Sequence, residues 1–351
     1  MRRFAIEALR TFGLSLLAAA GAGRDEARIL TDCLIDAQLR TAPFQNQGVV
    51  RFAVYARRVR EGGITPCAAI RVLLDRPAAA LLDGGNGFGQ VVAYRAMALA
   101  MAKARGGGVG AVAARNSNHF GTASYFTLMA ARAGLVGLAF TNASPEMPAW
   151  GASVALVGTN PWSIAVPGPS DRPVVLDLSN ASSGKGVIRQ HAAAGRSIPA
   201  GWAVDASGRP VTDARAAVDA LLAPMGGYKG YAIAVMVDLL TGGLAGGLVG
   251  SAVGSPYEVA RPQGVSHLLL ALDPDAFGGA AALRAGVAAV SSEVHGAPRW
   301  PGIDAVRLPG DPEWERRDDG IARGAELPDD TVERLREIGG EFAVPFPEPL
   351  P

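Results

Sequence analysis

The stretch HFGTASYFTLMAARAGLVGLAFTNASP, residues 119–145, decides the fold class, because a helical pattern and a strand pattern adjoin in it. Thr122 to Ala133 has the apolar spacing of a helix, whereas Leu135 to Thr141 has the composition of a strand. Similar apolar runs predict further strands at 109–114, 163–166, 173–178 and 267–272. Strands that alternate with helices in this way are typical of an α/β body.

Both ends of the chain are predominantly helical. Apolar residues recur at spacings of three and four through residues 1–63, with a break at Thr41-Ala42-Pro43 and a stop at Gly62-Gly63. Short strands are expected within 68–83. Further helices are predicted at 89–105, 214–222, 231–240, 280–294 and 331–338. We expect the terminal helices to pack together as one lobe.

The overall composition argues against several classes of protein. A chain of 351 residues is long enough for two lobes, or for one large body with extra helices. It has 33 Lys and Arg against 32 Asp and Glu, so its net charge of +1 gives no basic excess for binding nucleic acid. The alternating charges at 313–319 are interpreted as a solvated surface.

Two cysteines, Cys33 and Cys67, are too few to form a zinc site by themselves and belong to no CxxC motif. Cys33 lies in an apolar helical pattern and is expected in the core. A disulfide between the two is one interpretation. Free thiols in a reducing, cytoplasmic compartment are the simpler one.

Two apolar segments resemble targeting or membrane sequences. Residues 1–27 combine a basic tip with an apolar run, but Glu7 and Arg10 interrupt that run and its leucines have helical spacing. Residues 231–254 are long enough to span a bilayer, yet they contain Asp238 and lack flanking basic clusters. We predict an amphipathic helix for the first segment, and a buried helix with a Gly-rich turn for the second. A membrane or signal-bearing protein is the alternative.

The familiar nucleotide-binding motifs do not occur in the sequence. No GxGxxG joins a strand to a helix with an acidic residue about twenty positions further on. No Walker A, HExxH or GxSxG is found. The segment Gly84-Gly85-Asn86-Gly87-Phe88-Gly89 follows a strand but lacks the Rossmann spacing. A dinucleotide would therefore have to bind in another way.

Polar residues gather instead in loops at predicted strand ends. The segment 115–121 places His119 before a helix N-terminus, where the helix dipole would lower the pKa of its imidazole and suit it to acid–base work. The alternative is that His119 merely caps the helix. Other loops contain Asn142, Thr159 and Asn160, which either bind a ligand or close a turn. Lys229, between glycines at a helix start, fits a phosphate as well as it fits solvent.

These segments are specific when they are taken in order. The runs at 119–145 and 158–167 are followed by LDLSNASSGKG (176–186), IPAGWAVDASGRPVTD (198–213), APMGGYKGYAIAVMVDLLTGGLAGG (223–247), ALDPDAF (271–277) and LPGDPEWER (308–316). Over nearly its whole length the chain resembles the type-2 malate/L-lactate dehydrogenase family. That family also includes sulfolactate, ureidoglycolate and diketogulonate oxidoreductases, and reductases of cyclic imines such as piperideine-2-carboxylate.

The resemblance implies a non-Rossmann α/β fold, with a cofactor lobe and a helical lobe formed by the chain termini. We place an N-terminal helical and substrate lobe at 1–110, an NAD(P)-binding lobe at 111–270, and a C-terminal segment that returns to the first lobe at 271–351. The resemblance also implies a homodimer that moves a hydride between NADH or NADPH and a 2-oxo acid or its C=N analogue. No metal, membrane or nucleic acid is expected.

Site residues follow from the resemblance as well. His119 matches a proposed acid/base beside the nicotinamide, and Ala143 matches a position that contacts the cofactor. Further cofactor contacts are implied at Asp177, Leu178, Ser179, Lys229, Gly230, Pro309, Gly310 and Asp311. The polar loops add Asn142, Thr159, Asn160 and Lys185 to the candidate cofactor-binding residues.

The N-terminal motif departs from the family pattern DLRGxDSHGxxRxxxY, in which a Ser-His pair faces the substrate. Here two residues are inserted, and Asn46 and Gln47 stand at the Ser and His positions. Arg51 and Tyr55 keep their places, and a guanidinium can pair both oxygens of a substrate carboxylate. Gln47 can hydrogen-bond, but it cannot shuttle a proton near pH 7.

This departure favours a substrate that needs little proton donation. Hydride addition to a protonated imine, C=N–H⁺, gives a neutral amine without a proton donor. The sequence therefore predicts reduction of an imine or an unusual 2-oxo acid, and not of malate or lactate, with His119 or water as the source of any proton. The alternative is a family member that has lost catalysis and still binds a dinucleotide or another small molecule.

Overall fold

The structure is a computed structural model that describes residues 1–42, 45 and 47–351. Pro43, Phe44 and Asn46 lie outside the described residues, and with them the predicted break at Pro43 and the substitution at Asn46. The helices are α1 (Ile6–Ala19), α2 (Arg24–Arg40), α3 (Arg51–Arg60), α4 (Gly89–Gly107), α5 (Ser124–Arg132), α6 (Lys185–Ala193), α7 (Ala214–Ala217), α8 (Tyr228–Asp238), α9 (Ala280–His295), α10 (Asp311–Arg323) and α11 (Asp329–Glu341). The strands are β1 (Arg2–Phe4), β2 (Arg71–Asp75), β3 (Ala79–Asp83), β4 (Val109–Ser117), β5 (Val136–Thr141), β6 (Pro145–Pro148), β7 (Ala155–Gly158), β8 (Trp162–Val166), β9 (Val174–Leu178), β10 (Ala203–Val204), β11 (Leu221–Leu222), β12 (Val265–Leu272) and β13 (Ala325–Leu327).

A seven-stranded mixed sheet forms the centre of the molecule, in the order β2-β3-β4-β12-β5-β8-β9. Strands β3 and β4 are parallel and are connected through α4, whereas β12 lies antiparallel between β4 and β5. The register opposes His267 of β12 to Thr141 of β5 and to Ala114 of β4. The sheet therefore joins strands from the predicted first and second segments of the chain.

The two chain termini meet in a helical lobe. β1 pairs antiparallel with β13, Arg2 opposite Leu327, so that the ends of the chain are joined by main-chain hydrogen bonds. Helix α1 buries Leu9, Phe12 and Leu16 in a core shared with α2, α3 and α11, because these residues recur on one helical face. The predicted amphipathic helix at the start of the described chain is confirmed.

A second, smaller core lies in the middle of the sequence. It contains Met147 of β6, Val157 of β7, Ile188 of α6, Leu222 of β11 and Ala234 of α8. Because this core is separate from that of the terminal helices, side chains between the two cores can line a cleft.

Two helices and one boundary differ from the sequence prediction. Helix α6 is not among the predicted helices, because Gly184 and Gly186 suggest a turn and Ile188 is its one buried residue. Helix α10 lies in the segment interpreted only as a charged surface. Helix α7 stops at Ala217, short of the predicted 222, because Leu221 and Leu222 pair with β10.

The helix predicted from residue 231 is present, but the prediction that it is buried is wrong for much of it: Ala234 and Val237 are buried, whereas Met236 and Leu239 are exposed. Residues 231–254 continue α8 into a π-helical turn at Leu239–Gly243 and a Gly-rich connection. Within the described ranges, no helix is long and apolar enough to cross a membrane.

Cys33 is buried and Cys67 is exposed, and both are free thiols. Apart from the three omitted residues, no cluster of His, Cys, Asp and Glu could hold a metal ion.

Candidate active site

One face of α3 carries three polar side chains, Arg51, Tyr55 and Arg58, at the spacing that places residues on the same side of a helix. All three are buried, with exposed fractions of 7%, 1% and 0%. Arg58 donates to the main-chain oxygens of Glu258 and Arg261, both at 2.8 Å, and so ties the helical lobe to the connection before β12.

A short chain of hydrogen bonds links Gln90, Tyr55 and His119. Nε2 of Gln90 donates to the Tyr55 hydroxyl at 2.7 Å, and the same hydroxyl lies 2.7 Å from Nδ1 of His119. Gln90 is fully buried at the start of α4, whereas His119 is partly exposed. With Nδ1 engaged by Tyr55, Nε2 is the imidazole atom left to face a ligand.

Main-chain contacts hold His119 in place between β4 and α5. Its amide donates to Oε1 of Gln263 at 2.9 Å. Nδ2 of the preceding Asn118 donates to the main-chain oxygen of Gly87 at 2.9 Å, which joins the loop to the glycine-rich segment before α4. A Cβ at Gly89 would lie 2.0 Å from the Asn118 oxygen, so the absence of a side chain there permits this close approach.

The pKa of the His119 imidazole is lowered well below its usual range, chiefly by burial and next by the nearby Arg51 charge. The predicted direction is confirmed, but the predicted cause is wrong. Helix α5 begins at Ser124, and the dipole effect of a helix falls off within its first turn. His119 does not cap α5 either, because the carboxylate of Asp177 accepts the Ser124 amide at 2.8 Å.

Asp177 therefore has a structural contact as well as an accessible carboxyl group at the end of β9. The residue is exposed to solvent, yet enough protein lies near its carboxyl group to disfavour the charged form. This environment raises the pKa of the Asp177 carboxyl to about 6, although the two hydrogen bonds from Ser124 favour the charged form and lower the pKa in part. The following residues, Leu178 and Ser179, are partly buried.

Three asparagines connect the loops at this edge of the sheet. Asn142 donates to Asp238 and accepts the amide of Ser266, and Asn160 accepts the amide of Ala143 at 2.9 Å. Asn180, which the sequence reasoning did not single out, donates to the main-chain oxygens of Asn160 and Thr159. The structure thus brings Asn142, Ala143, Thr159 and Asn160 together, with the Asn142 and Asn160 side chains engaged within the protein.

The glycine-flanked Lys229 lies at the start of α8, and its loop adjoins the end of β9. The amide of Met225 donates to the main-chain oxygen of Asn180 at 2.8 Å, and Lys229 is exposed while Gly230 is buried. Lys185 has a different environment, because its ammonium group donates to the main-chain oxygens of Val218 and Ala220.

The turn at Pro309, Gly310 and Asp311 packs on the same strand. The main-chain oxygen of Pro309 accepts the amide of Val175 in β9 at 3.1 Å. Oδ2 of Asp311 accepts the Leu308 amide at 2.8 Å and lies 2.7 Å from Nε2 of His295. Asp311 therefore stabilises the turn itself.

The arrangement around Asp177 fits a dinucleotide. An accessible carboxylate suits ribose hydroxyls, and the exposed ammonium of Lys229 suits phosphate. The hydroxyl of Thr122, between His119 and α5, is buried without a hydrogen-bond partner among the described residues. Buried polar atoms are rarely left unpaired, so this hydroxyl is consistent with a ligand group beside it. Gln47 likewise has a buried and unpartnered Oε1, as far as the described chain shows.

Sequence reasoning missed the residues whose roles arise from tertiary contacts. Gln90, Arg58 and Gln263 belong to no motif, and Asn118 lies in the segment 115–121 without having been assigned a role; each acts on a partner distant in sequence. The one available signal was the spacing of Arg58 on the same helical face as Arg51 and Tyr55.

Comparison with known proteins relates the chain to one family. Residues 4–336 match the sequence profile of the family described as malate/L-lactate dehydrogenase. The chain is 33% identical over 335 residues to a malate/(S)-sulfolactate dehydrogenase from Methanothermus fervidus, with 95% of this chain and 96% of the relative covered. Other relatives include NAD- and NADP-dependent dehydrogenases.

Two solved structures share the fold. Sulfolactate dehydrogenase from Methanocaldococcus jannaschii superposes with a TM-score of 0.91 at 31% identity, and the match covers 99% of this chain and 98% of that one. Delta1-piperideine-2-carboxylate reductase from Pseudomonas syringae pvar. tomato has a TM-score of 0.83 at 30% identity, with 96% and 100% covered. The predicted non-Rossmann α/β fold is confirmed.

Proposed function

Because the chain belongs to the malate/L-lactate dehydrogenase family and is an NAD(P)-dependent oxidoreductase, we propose that it reduces a C=N or C=O carbon next to a carboxylate. The observation that carries the proposal is the contact of the Tyr55 hydroxyl with His119, one helical turn from Arg51, whose charge also acts on the imidazole. The bound nicotinamide supplies the hydride, and the residues around Asp177 and Lys229 would hold the dinucleotide.

Arg51 anchors the substrate carboxylate in this proposal. The residue is 7% exposed, and its charge is close enough to His119 to lower the pKa of the imidazole. A carboxylate bound there would balance the Arg51 charge and remove one of the causes of that lowered pKa. Substrate binding would thereby make His119 a better proton donor than it is in the free protein.

His119 acts as the acid/base, through Nε2. When Gln90 donates to Tyr55, the Tyr55 hydroxyl is free to donate to Nδ1 of His119, which leaves the imidazole proton on Nε2. A neutral imidazole in this tautomer donates a hydrogen bond to the substrate's oxygen or nitrogen. It is a weak source of a full proton, which favours substrates that already carry one.

A protonated imine is such a substrate, and the absence of a histidine at position 47 points the same way. We propose an imino acid or an unusual 2-oxo acid as the substrate, in preference to malate or lactate. Turnover of malate or lactate with a kcat/KM of about 10⁴ M⁻¹s⁻¹, the low end of the typical range, would contradict this preference.

Titration with NADPH and with NADH, followed by nicotinamide fluorescence, tests the cofactor site first. Micromolar binding of either is expected, and the tighter ligand becomes the cofactor for a screen of cyclic imines and 2-oxo acids. His119→Gln should retain the cofactor and lower the turnover of a 2-oxo acid by about 10²- to 10⁴-fold, the usual contribution of acid–base catalysis, and should lower that of a protonated imine by less. Arg51→Lys should raise KM by a larger factor than it lowers kcat, because a lysine cannot form the bidentate pair with the carboxylate.

The second candidate function is dinucleotide or small-molecule binding without catalysis, which the changes at Asn46, Gln47 and Asp311 motivate. Cofactor binding without turnover of any imine or 2-oxo acid would favour it. Failure to bind either cofactor would count against the catalytic proposal and favour a family member that binds another small molecule.

We propose a homodimer as the assembly. Several large apolar side chains stay exposed on and after α8, with exposed fractions of 59% for Tyr228, 54% for Met236, 52% for Leu239 and 63% for Leu244. Large apolar side chains that stay exposed close together in sequence suggest a surface that a partner covers. Sedimentation of the parent protein and of the Leu244→Glu variant tests the proposed homodimer. A monomeric parent protein would contradict the proposal.

A further inference from the structure

Glu146 is a carboxyl group that the proposed function leaves without a role. It belongs to β6 and lies three residues after Ala143, a candidate contact of the cofactor. Its neighbour Met147 is fully buried in the smaller core, whereas Glu146 is only partly buried. The carboxyl group therefore lies at the edge of that core, next to a loop that is expected to meet the dinucleotide.

Charged groups from both sides of the cleft act on Glu146. Arg51 belongs to α3 of the helical lobe, and Lys185 and Arg189 belong to α6 beside the smaller core. Tyr257 gives the same position, because Glu146 and Arg51 both act on its phenol, and Cζ of Arg51 lies 5.8 Å from the centre of the ring. Glu146 therefore faces the space between the two cores.

The same arginine connects Glu146 with His119. The charge of Arg51 acts on both groups, and in the proposed function Arg51 holds the substrate carboxylate. The carbon to be reduced is bonded to that carboxylate. Both Glu146 and His119 thus lie near the place that this carbon would occupy.

The Glu146 carboxyl is available to a ligand and can carry a proton. It has no hydrogen bond or ion pair with any residue that the structure describes, and its oxygens are not sealed from solvent. Burial raises the pKa of this carboxyl, while the charges of Lys185, Arg189 and Arg51 lower it in part. A substrate carboxylate on Arg51 offsets one of these charges and so favours the protonated form further.

Reduction of a 2-oxo acid needs a proton that the other side chains near Arg51 supply poorly. The imidazole of His119 is neutral, and its Nδ1 is engaged by Tyr55. Gln47 does not ionise near pH 7 and cannot donate a full proton. A carboxylic acid is a stronger proton donor than a neutral imidazole or an amide, so Glu146 is the better source.

We propose that Glu146 donates the proton that completes the reduction of a 2-oxo acid, directly or through one water. As the hydride adds to the carbonyl carbon, the carbon–oxygen π bond breaks, and its electron pair takes the proton from the Glu146 carboxyl to form the hydroxyl of the product. The carboxylate left behind faces Lys185 and Arg189, whose charges stabilise it until it regains a proton from solvent. The inference rests on the proposed function, since it assigns a second catalytic residue to the same site.

Substrates that differ in their need for a proton test this role. A 2-oxo acid needs a donor, whereas a protonated cyclic imine brings its own proton. Glu146→Gln should lower kcat for the best 2-oxo acid by about 10²- to 10⁴-fold, the usual contribution of acid–base catalysis, and kcat for the best cyclic imine by less than about tenfold. The parent kcat for the 2-oxo acid should fall as the pH rises and Glu146 loses its proton, and Glu146→Gln should lack this alkaline limb.

Two further variants separate proton donation from a general effect of charge. Glu146→Asp keeps a carboxyl group, so it should retain the alkaline limb and more of the turnover than Glu146→Gln. Glu293→Gln is the matched control, because it removes the same charge from an exposed position on α9. It should leave kcat and its pH dependence unchanged. Thermal unfolding of each variant shows whether a loss of activity is a loss of folding.

Infrared difference spectra give a readout that needs no turnover. Oxamate, an unreactive analogue of a 2-oxo acid, is added to the protein with the better cofactor bound. Because a carboxylate on Arg51 favours the protonated form of Glu146, the carbonyl band of a protonated carboxyl group should grow on binding. This band should be missing in Glu146→Gln.

Two kinetic results would overturn proton donation by Glu146 while the proposed function stood. One is an unchanged kcat and pH profile in Glu146→Gln, and the other is an equal loss for the 2-oxo acid and the imine. If neither class of substrate is turned over, the infrared spectra decide. An oxamate-induced carboxyl band that Glu146→Gln lacks would support Glu146 as the group that carries the proton, although the proposed function had failed. The absence of that band would overturn the inference.

Discussion

The Tyr55 hydroxyl lies 2.7 Å from Nδ1 of His119, and this contact joins the helical lobe to the loop that follows β4. Tyr55 comes from a helix that packs with the chain termini, whereas His119 follows a central strand of the sheet. The pKa of Tyr55 is raised to about 12, mainly by burial, so its hydroxyl stays protonated at neutral pH. Tyr55 therefore orients the imidazole as a neutral hydrogen-bonding partner.

Tyr55→Phe is expected to lower kcat by about 10- to 100-fold, because His119 loses the partner that fixes its tautomer, each tenfold being about 1.4 kcal/mol. KM should change little, since Arg51 is retained. Steady-state kinetics with the best substrate measure both. Tyr125→Phe is the control, as it removes the hydroxyl of another tyrosine, which interacts with Cys33. A variant with reduced stability and unaltered kcat would show that the contact is only structural.

Gln90 is expected to act through Tyr55 as a positioning residue. Gln90→Leu removes the hydrogen bond to the hydroxyl and should lower kcat about tenfold, the equivalent of one hydrogen bond. Gln90→Glu places a carboxylate in the buried chain, which should favour protonated His119 and move the acidic limb of the pH–rate profile to higher pH. If both variants show the parent pH profile and kcat, Gln90 only fills space beside α3.

Asp177→Asn is expected to stabilise the protein at pH 8 and to weaken cofactor binding. The folded-state pKa of Asp177 is raised to about 6 from its ordinary 3.8, so folding favours the protonated form. That contribution to stability is present below pH 3.8 and is lost as the pH rises through about 6. Asparagine removes the charge and can still accept the Ser124 amide. Thermal unfolding at pH 5 and pH 8, with cofactor titration, checks both effects. Equal melting temperatures of the parent protein and of Asp177→Asn at pH 8 would contradict the expected stabilisation.

His267 is expected to make the protein less stable in acid. It is fully buried, with Nδ1 2.8 Å from the Thr141 hydroxyl and Nε2 2.8 Å from that of Ser117, and its pKa is lowered to about 3. The unfolded chain binds a proton below pH 6.5 and the folded protein does not. The free energy of unfolding should thus fall by about 1.4 kcal/mol per pH unit from 6.5 towards 3 on account of this residue.

Denaturant unfolding of the parent protein and of His267→Gln between pH 7 and pH 4 measures this contribution. The quantity compared is the slope of the free energy of unfolding against pH in the two proteins. The difference between the two slopes isolates His267, because His119 and Asp177 contribute equally to both; His119 lowers the stability in acid, as His267 does, and Asp177 raises it. Parallel slopes would mean that His267 keeps an ordinary pKa in the folded protein.

The sequence by itself determined the α/β class, most of the helices and strands, and the family, because apolar spacing and glycine-rich turns are local properties of the chain. It also placed His119, Asp177 and Lys229 at the ends of elements. Helix α6 was not predicted from the sequence, because a helix with one buried residue has no apolar period to recognise.

Only the tertiary structure decided which side chains act together. The Gln90–Tyr55–His119 chain joins positions 35 and 64 residues apart, and the hydrogen bond from Arg58 to Arg261 spans 203 residues. The lowered pKa of His119 arises from burial and from cations of other segments, and not from the helix that follows it. Burial and charge proximity depend on how distant segments pack, and no local pattern in the sequence encodes them.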